Sequence, residues 1–214
     1  MSLELAEKVT RWMGGLVAYA TLGIVMFGIW RGTHRPAGRT AGRNPGWLRS
    51  PLFYLVSVVL FMGISAALWH PLPLTILPPM RAWVLALGIL IYFPGMLFIL
   101  WGRLALGKMY FVSTGFGAQL YADHQLVTHG PFALVRHPMY VGLITTAFGS
   151  LLLYQTWTTA FFAFFTPFVL LRARREEQAL AAEFGEQWQL YCRRVPAVLP
   201  WLRKVGKHGK DECS

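Results

Sequence analysis

Residues 136–177 read RHPMYVGLITTAFGSLLLYQTWTTAFFAFFTPFVLLRARREE: two apolar blocks, Pro138 to Leu153 and Trp157 to Leu171, joined only by Tyr154, Gln155 and Thr156. Neither block carries a charge, and so short a link makes a tight helical hairpin, whose two arms must be neighbours. A hairpin returns to the side it left. Arg172 and Glu176 are four residues apart, on one face if the helix continues, and so are expected back beside Arg136, His137 and Tyr140. Taken singly, each of these residues reads as ordinary boundary chemistry: a solvated ion pair is worth little, and Arg, His and Tyr commonly anchor a helix among headgroups. Their convergence is what sets them apart.

Working upstream, three more apolar blocks, Gly14 to Trp30, Pro51 to Trp69 and Ala82 to Trp101, fit about 20 residues per membrane crossing. Trp30, Trp69, Trp101 and Trp157 stand at block ends, where an indole keeps its ring in the apolar layer and its N–H among headgroups. The composition agrees: 55% of the 214 residues are hydrophobic, 14% are charged, and no acid occurs between Val9 and Ala122. A soluble domain is excluded as a description. The expected fold class is therefore all-α, a polytopic membrane bundle of five transmembrane helices, the last two a tight hairpin, followed by a cytoplasmic amphipathic helix through Phe184, Trp188 and Tyr191. The last two blocks are short, so the hairpin either crosses a thinned bilayer or stops short of the far surface.

The formal charge of +11 would suggest nucleic acid on a soluble protein. Here the cations sit between apolar blocks and set orientation instead. The loop from Arg31 to Ser50 carries five Arg, the stretch from Gly102 to His137 carries Arg103, Lys108 and Arg136, and the chain from Arg172 onward carries nine basic residues, against Lys8, Arg11 and Arg81 on the other side. The positive-inside rule then gives an N-out, C-in topology. Trp30 and an Arg-rich loop follow the first block, rather than a small-residue cleavage site, so it reads as a span and not a cleaved signal. Cys192 and Cys213 form no disulfide framework and read as reduced thiols. His124, His129 and His137 lack a metal spacing, so no metal is implied. No nucleic acid or obligate protein partner is implied either. The expected organisation is residues 1–100 as accessory helices, 101–202 as the functional core and 203–214 as a basic tail.

The stretch from Tyr110 to His137 is long for a connection and contains Leu126, Val127, Phe132, Leu134 and Val135, too much apolar surface for free disorder, so it is expected to fold over something. At its end Pro138 pushes His137 out of the helical region and suits the first helical position, which makes His137 the cap of a helix. The start of that helix, with Arg136, would suit a carboxylate or phosphate. Gly142 leaves room for close approach by a ligand or another helix. Gly88, Gly95 and Gly102, spaced by seven, read as a packing stripe.

These residues carry a resemblance. The runs His124-Gln125-Leu126-Val127-Thr128, Gly130-Pro131-Phe132 and Arg136-His137-Pro138-Met139-Tyr140-Val141-Gly142 resemble the isoprenylcysteine carboxyl methyltransferases and their phospholipid methyltransferase relatives. So do Arg172, Glu176-Glu177, Leu180, Phe184-Gly185-Glu186, Tyr191, Val195-Pro196 and Leu199-Pro200. The resemblance covers roughly residues 101 to 200. It implies an integral membrane enzyme that uses S-adenosylmethionine from a cytoplasmic pocket, with a lipophilic acceptor entering from the bilayer. It further implies that His124, Gln125, Leu126, Val127 and Phe132 line the cofactor, that Arg136, His137, Pro138, Met139 and Tyr140 hold it, and that Glu176 contacts it. By the same resemblance Arg172 orients the acceptor.

The residue types suit that chemistry. Methyl transfer from a sulfonium is an in-line displacement that needs alignment and exclusion of water. Glu176 suits the cofactor's ammonium, the helix start its carboxylate, and Phe132 or Tyr140 its sulfonium. An ionised carboxylate acceptor, as in the isoprenylcysteine type, needs no general base; an amine or thiol acceptor would, with Glu177 or His137 as the candidate. Arg174, Arg175 and Gln187-Trp188 depart from the isoprenylcysteine pattern, which leaves the acceptor open between an isoprenoid or other lipophilic carboxylate, a phospholipid amine and a small thiol. A sterol-type membrane reductase using NADPH and a non-enzymatic membrane protein are the competing classes. The compact chain, rich in Ala and Arg, reads as prokaryotic, hence as a bacterial inner-membrane protein.

Overall fold

The structure is a computed structural model that describes residues 2–34, 37–42, 50–110, 113–114 and 117–198. The basic tail with Cys213, residues 35–36 and 43–49 of the Arg31–Ser50 loop, and Leu199-Pro200 lie outside the described residues. Among the described residues, six α-helices account for most of the structure: α1 Leu3–Thr33, α2 Pro51–Ala67, α3 Pro78–Leu106, α4 Pro138–Tyr154, α5 Trp157–Phe165 and α6 Val169–Arg194. Proline opens α2, α3 and α4 at the position where its missing N–H is no loss.

The helical part of Leu3–Gly32 and Pro78–Met109 is long and apolar enough to cross a membrane, and only 17% and 28% of those windows is buried inside the protein. Leu16 and Leu90 are 74% and 69% exposed. A soluble core helix would hide these side chains. The apolar helices Leu52–Ala67 and Pro138–Tyr154 are shorter.

The core is the antiparallel seam between α3 and α4, and glycine makes it. A Cβ on Gly95 would stand 2.5 Å from Thr146 Oγ1, one on Gly142 2.7 Å from the Gly95 carbonyl, and one on Gly149 2.5 Å from Tyr92 N. Gly88 faces Leu153 and Gly102 faces Met139 in the same way, so the seven-residue stripe is a contact line along the whole of α3. Tyr92, Met96, Ile99 and Leu153 fill the seam, and α1 is tied across it where Tyr92 donates to the Gly14 carbonyl at 2.8 Å and Tyr154 to the Arg11 carbonyl at 2.7 Å.

The hairpin turns as expected. Gln155 takes a left-handed conformation (φ 54°) and caps α4, and Thr156 starts α5 with a reciprocal capping box to Thr159. The chain after α2 clamps the turn: Trp157 N donates to the His70 carbonyl at 3.0 Å and Leu72 N to the Gln155 carbonyl at 2.8 Å.

Three expectations need correction. The first apolar block is only part of a helix that begins at Leu3 and runs to Thr33. The fifth span is not one helix: α5 has nine residues, about 13 Å of rise, and a 3-10 turn at Thr166–Phe168 around Pro167 bends the chain into α6. Proline has no N–H to continue the ladder, and uniform hydrophobicity hid the break. The amphipathic helix is consequently not separate but continuous with the end of that span. Lastly, the mostly helical fold carries an element the sequence did not announce: the two long connections meet in a three-stranded antiparallel sheet, β1 Ala37–Gly42, β3 Gly117–Tyr121 and β2 Ser113–Thr114, with β3 central and Thr40 opposite Gln119. Leu120 of β3 packs fully buried against Ala179 of α6. Leu126 of the apolar loop packs on the end of α6, against Trp188, Tyr191, Cys192 and Val195.

Candidate active site

Counting outward from the turn explains the site. Tyr140 lies fifteen residues before Gln155 and Arg172 sixteen after Thr156, so in antiparallel arms they arrive at the same level. Tyr140 donates a short hydrogen bond to Glu176 Oε1, Arg172 Nε lies 3.4 Å from the same oxygen, and its guanidinium sits 5.8 Å over the Tyr140 ring. His137, the cap of α4 (φ −121°, ψ 59°), stacks on Tyr140 with ring centroids 5.5 Å apart. Its Nδ1 faces Glu176 Oε2 at 3.9 Å and its Nε2 approaches Glu177 Oε1 to 3.0 Å.

Glu177 Oε1 also accepts from Arg136 Nε at 2.8 Å. Burial pushes the Glu177 carboxyl up, but the hydrogen bond from His137 and the Arg136 charge outweigh it and hold the group below its ordinary range. An ionised Glu177 can only accept, so His137 donates to it from Nε2. Arg136 itself is committed elsewhere than a ligand: Nη1 donates to the Cys192 and Val195 carbonyls at 3.3 and 3.1 Å. Beside it the backbone closes a strap, Arg136 N to the Pro196 carbonyl at 2.9 Å and His137 N to the Ala197 carbonyl at 3.0 Å.

Gly185 (φ 48°) interrupts α6, a conformation glycine adopts without strain. Beyond it Trp188, Tyr191 and Cys192 pack with Leu126, and Tyr191 donates to the Phe132 carbonyl at 2.6 Å. Burial raises the Tyr191 phenol well above its ordinary value, so it remains a donor.

These groups enclose a cavity of about 250 Å³. Of the residues expected at a site, His124, Leu126, Val127, Phe132, Arg136, His137, Pro138, Met139, Tyr140, Arg172 and Glu176 line it. Gln125 does not: it is exposed, with its backbone N on Met109 Sδ at 3.4 Å. Glu177 stands behind His137 and Arg136, outside the lining. Sequence reasoning missed Tyr110, Trp188, Tyr191 and an apolar end made by Val25, Ile99, Leu143 and Val169. Trp188 and Tyr191 share the apolar face of α6 with Leu180 and Phe184, which was a readable signal; Tyr110, a single aromatic at the head of a loop, gave none.

A bundle of outward-apolar helices with a composite polar-and-apolar cavity at one end of its tightest pair defines a membrane-type helical protein with a ligand site at the helix mouth. Residues 83–187 match the family model of the phospholipid methyltransferases. The protein-S-isoprenylcysteine O-methyltransferase of Schizosaccharomyces pombe is 38% identical over 82 residues, 37% of this chain and 35% of that protein. A probable protein-S-isoprenylcysteine O-methyltransferase of Oryza sativa subsp. indica is 35% identical over 82 residues, 37% of this chain and 43% of that protein. A delta(14)-sterol reductase of Mus musculus is 35% identical over 82 residues, 36% of this chain and 20% of that protein. The matched stretch thus spans less than half the length of each of these relatives. Over that stretch, just under half of the chain, the protein is similar to the phospholipid and isoprenylcysteine methyltransferases.

Proposed function

We propose that this protein is an integral membrane methyltransferase that uses S-adenosylmethionine to methylate a lipophilic acceptor, a carboxylate of the isoprenylcysteine type first among the choices. One observation carries the reading: Arg172 and Glu176 meet His137 and Tyr140 at the capped start of α4, on the wall of a cavity whose other end is apolar. The names of the relatives support it, as does the chemistry of the lining.

The residues present fit the cofactor. Glu176 is the one carboxylate in the lining and suits an ammonium; the rings of Phe132 and Tyr140 suit a sulfonium; Leu126, Val127 and Leu180 give an apolar slot for a flat base. When bound, the cofactor supplies an electrophilic methyl group. The chain's own work is positional: Glu177 and Arg136 fix His137, His137 and Glu176 fix Tyr140, and the strap at residues 195–197 keeps water from the slot. Glu177, engaged with Arg136 and His137, acts as a positioning residue; an amine or thiol acceptor would require it or His137 to take a proton. We assign the cytoplasmic side to the site from the basic residues on that side of the helices, with the N terminus outside, and a bacterial inner membrane as its setting.

The test is titration of the purified protein with S-adenosylmethionine, expected to give saturable heat. Heat that never saturates overturns the reading. Labelled methyl groups, incubated with protein and a membrane extract, are expected in base-labile esters; label in stable amines or thioethers would move the acceptor to a phospholipid amine or a thiol. Arg172→Ala and Glu176→Gln should each lower turnover by roughly a hundredfold, the size of a lost transition-state contact, while leaving the melting temperature nearly unchanged. The match to a sterol reductase favours one alternative: saturable NADPH binding in place of the sulfonium cofactor would select it.

A further inference from the structure

Tyr110 follows the 3-10 turn that ends α3 and belongs to none of the motifs above. It lines the cavity beside Arg172, Tyr140 and the apolar residues Val25, Leu143 and Val169. Two contacts hold it. Tyr121 of β3 donates to its carbonyl at 2.6 Å, and the Arg103 guanidinium lies 4.5 Å over its ring, with Nη1 on the Gly107 carbonyl at 3.2 Å. The ring is therefore braced by α3 and the sheet, while no hydrogen bond engages its hydroxyl among the described residues. Burial raises its pKa against the pull of Arg172 and Arg103, so the phenol stays a protonated donor.

Among the described residues, arginines outnumber carboxylates around it. Arg103 and Arg172 stand against Glu176, which already accepts from Tyr140 and Arg172, whereas Arg136 is answered by Glu177. Such a balance of charge beside the cavity favours an anionic ligand, and a cofactor of net positive charge would tilt it further.

We propose that Tyr110 and Arg172 form a two-donor clamp for an anionic head group on the acceptor, the phenol O–H taking one oxygen and the guanidinium the other, with the apolar chain running past Val25, Leu143 and Val169. Tyr110 is then an acceptor-binding residue that selects an acid over its uncharged analogue. The inference rests on the methyltransferase reading.

The experiment uses the full chain in detergent with S-adenosylhomocysteine bound, and two probes that differ only in their heads: N-acetyl-S-farnesylcysteine and its carboxamide. The acid is expected to bind tighter than the amide by roughly tenfold or more, the worth of a hydrogen bond to a charged group. In Tyr110→Phe most of that gap should close, through weaker acid binding, with the affinity for S-adenosylhomocysteine unchanged as proof of an intact fold. Acid and amide binding alike to the wild-type protein, neither binding while S-adenosylhomocysteine does, or an undiminished gap in Tyr110→Phe each overturns the clamp and leaves the cofactor reading standing. Failure of S-adenosylhomocysteine to bind the wild-type protein overturns both.

Discussion

Two ion pairs stand at opposite ends of the α3–α4 seam with nearly the same spacing. Arg81 and Glu7 meet at 2.7 Å near the helix starts of α1 and α3, with 43% of the arginine side chain exposed. Arg136 and Glu177 meet at 2.8 Å at the site end, with the arginine side chain 5% exposed. Distance says they are equals; surroundings say otherwise. At the first pair the arginine lies open to water, which solvates it if Glu7 is lost, so for Arg81 the pairing is worth at most about 1 kcal/mol. At the second the guanidinium also ties down two carbonyls at the end of α6, so its removal strands Glu177 and frees the strap.

The largest effect should come from Arg136→Ala, with a loss of about 3–5 kcal/mol in chemical unfolding; a loss below 1 kcal/mol would erase the contrast between the ends. Next comes the seam that joins them: Gly95→Leu must displace Thr146 and the Gly142 backbone, at a cost of at least about 1–3 kcal/mol, measured as a fall in melting temperature. Thr156→Ala removes the capping box at the distant turn and should cost about 1 kcal/mol without changing ligand affinity. The pH dependence sharpens the comparison further. The folded state holds the Glu177 carboxyl below its ordinary value, so its contribution is full above the unfolded-chain pKa of about 4.3 and is lost as pH falls through the lower folded value. Unfolding titrations from pH 6 downward should show that loss, and Glu177→Gln should remove that part of the slope. The smallest effect is expected for Glu7→Gln, which leaves the half-exposed Arg81 to water, under about 1 kcal/mol and reduced further by salt.

The readable part of the molecule was the part governed by local rules. Pro138 after His137 announces a capped helix start, and three residues between apolar blocks announce a hairpin; from those two facts the meeting of Arg172 and Glu176 with His137 and Tyr140 follows by counting. What escaped depends on contacts between distant segments. Ala37–Gly42 has no strand pattern of its own and becomes β1 only through pairing with Gly117–Tyr121. Arg136 looked like a free cation at a helix start because residues 192–197, which supply its carbonyl acceptors, are almost sixty positions away. Pro167 was visible, but in a stretch uniformly apolar on every face its break left no trace in hydropathy.

The strap has a consequence for how the protein comes to be. Residues 136 and 137 take their backbone partners from 196 and 197, so all six helices must be made before the slot has its last wall. Assembly therefore runs ahead of competence, and a nascent chain halted after α5 would have helices but no closed cavity. A chain ending at Arg194 should keep its helical circular dichroism and lose ligand binding, separating the birth of the scaffold from the birth of the site.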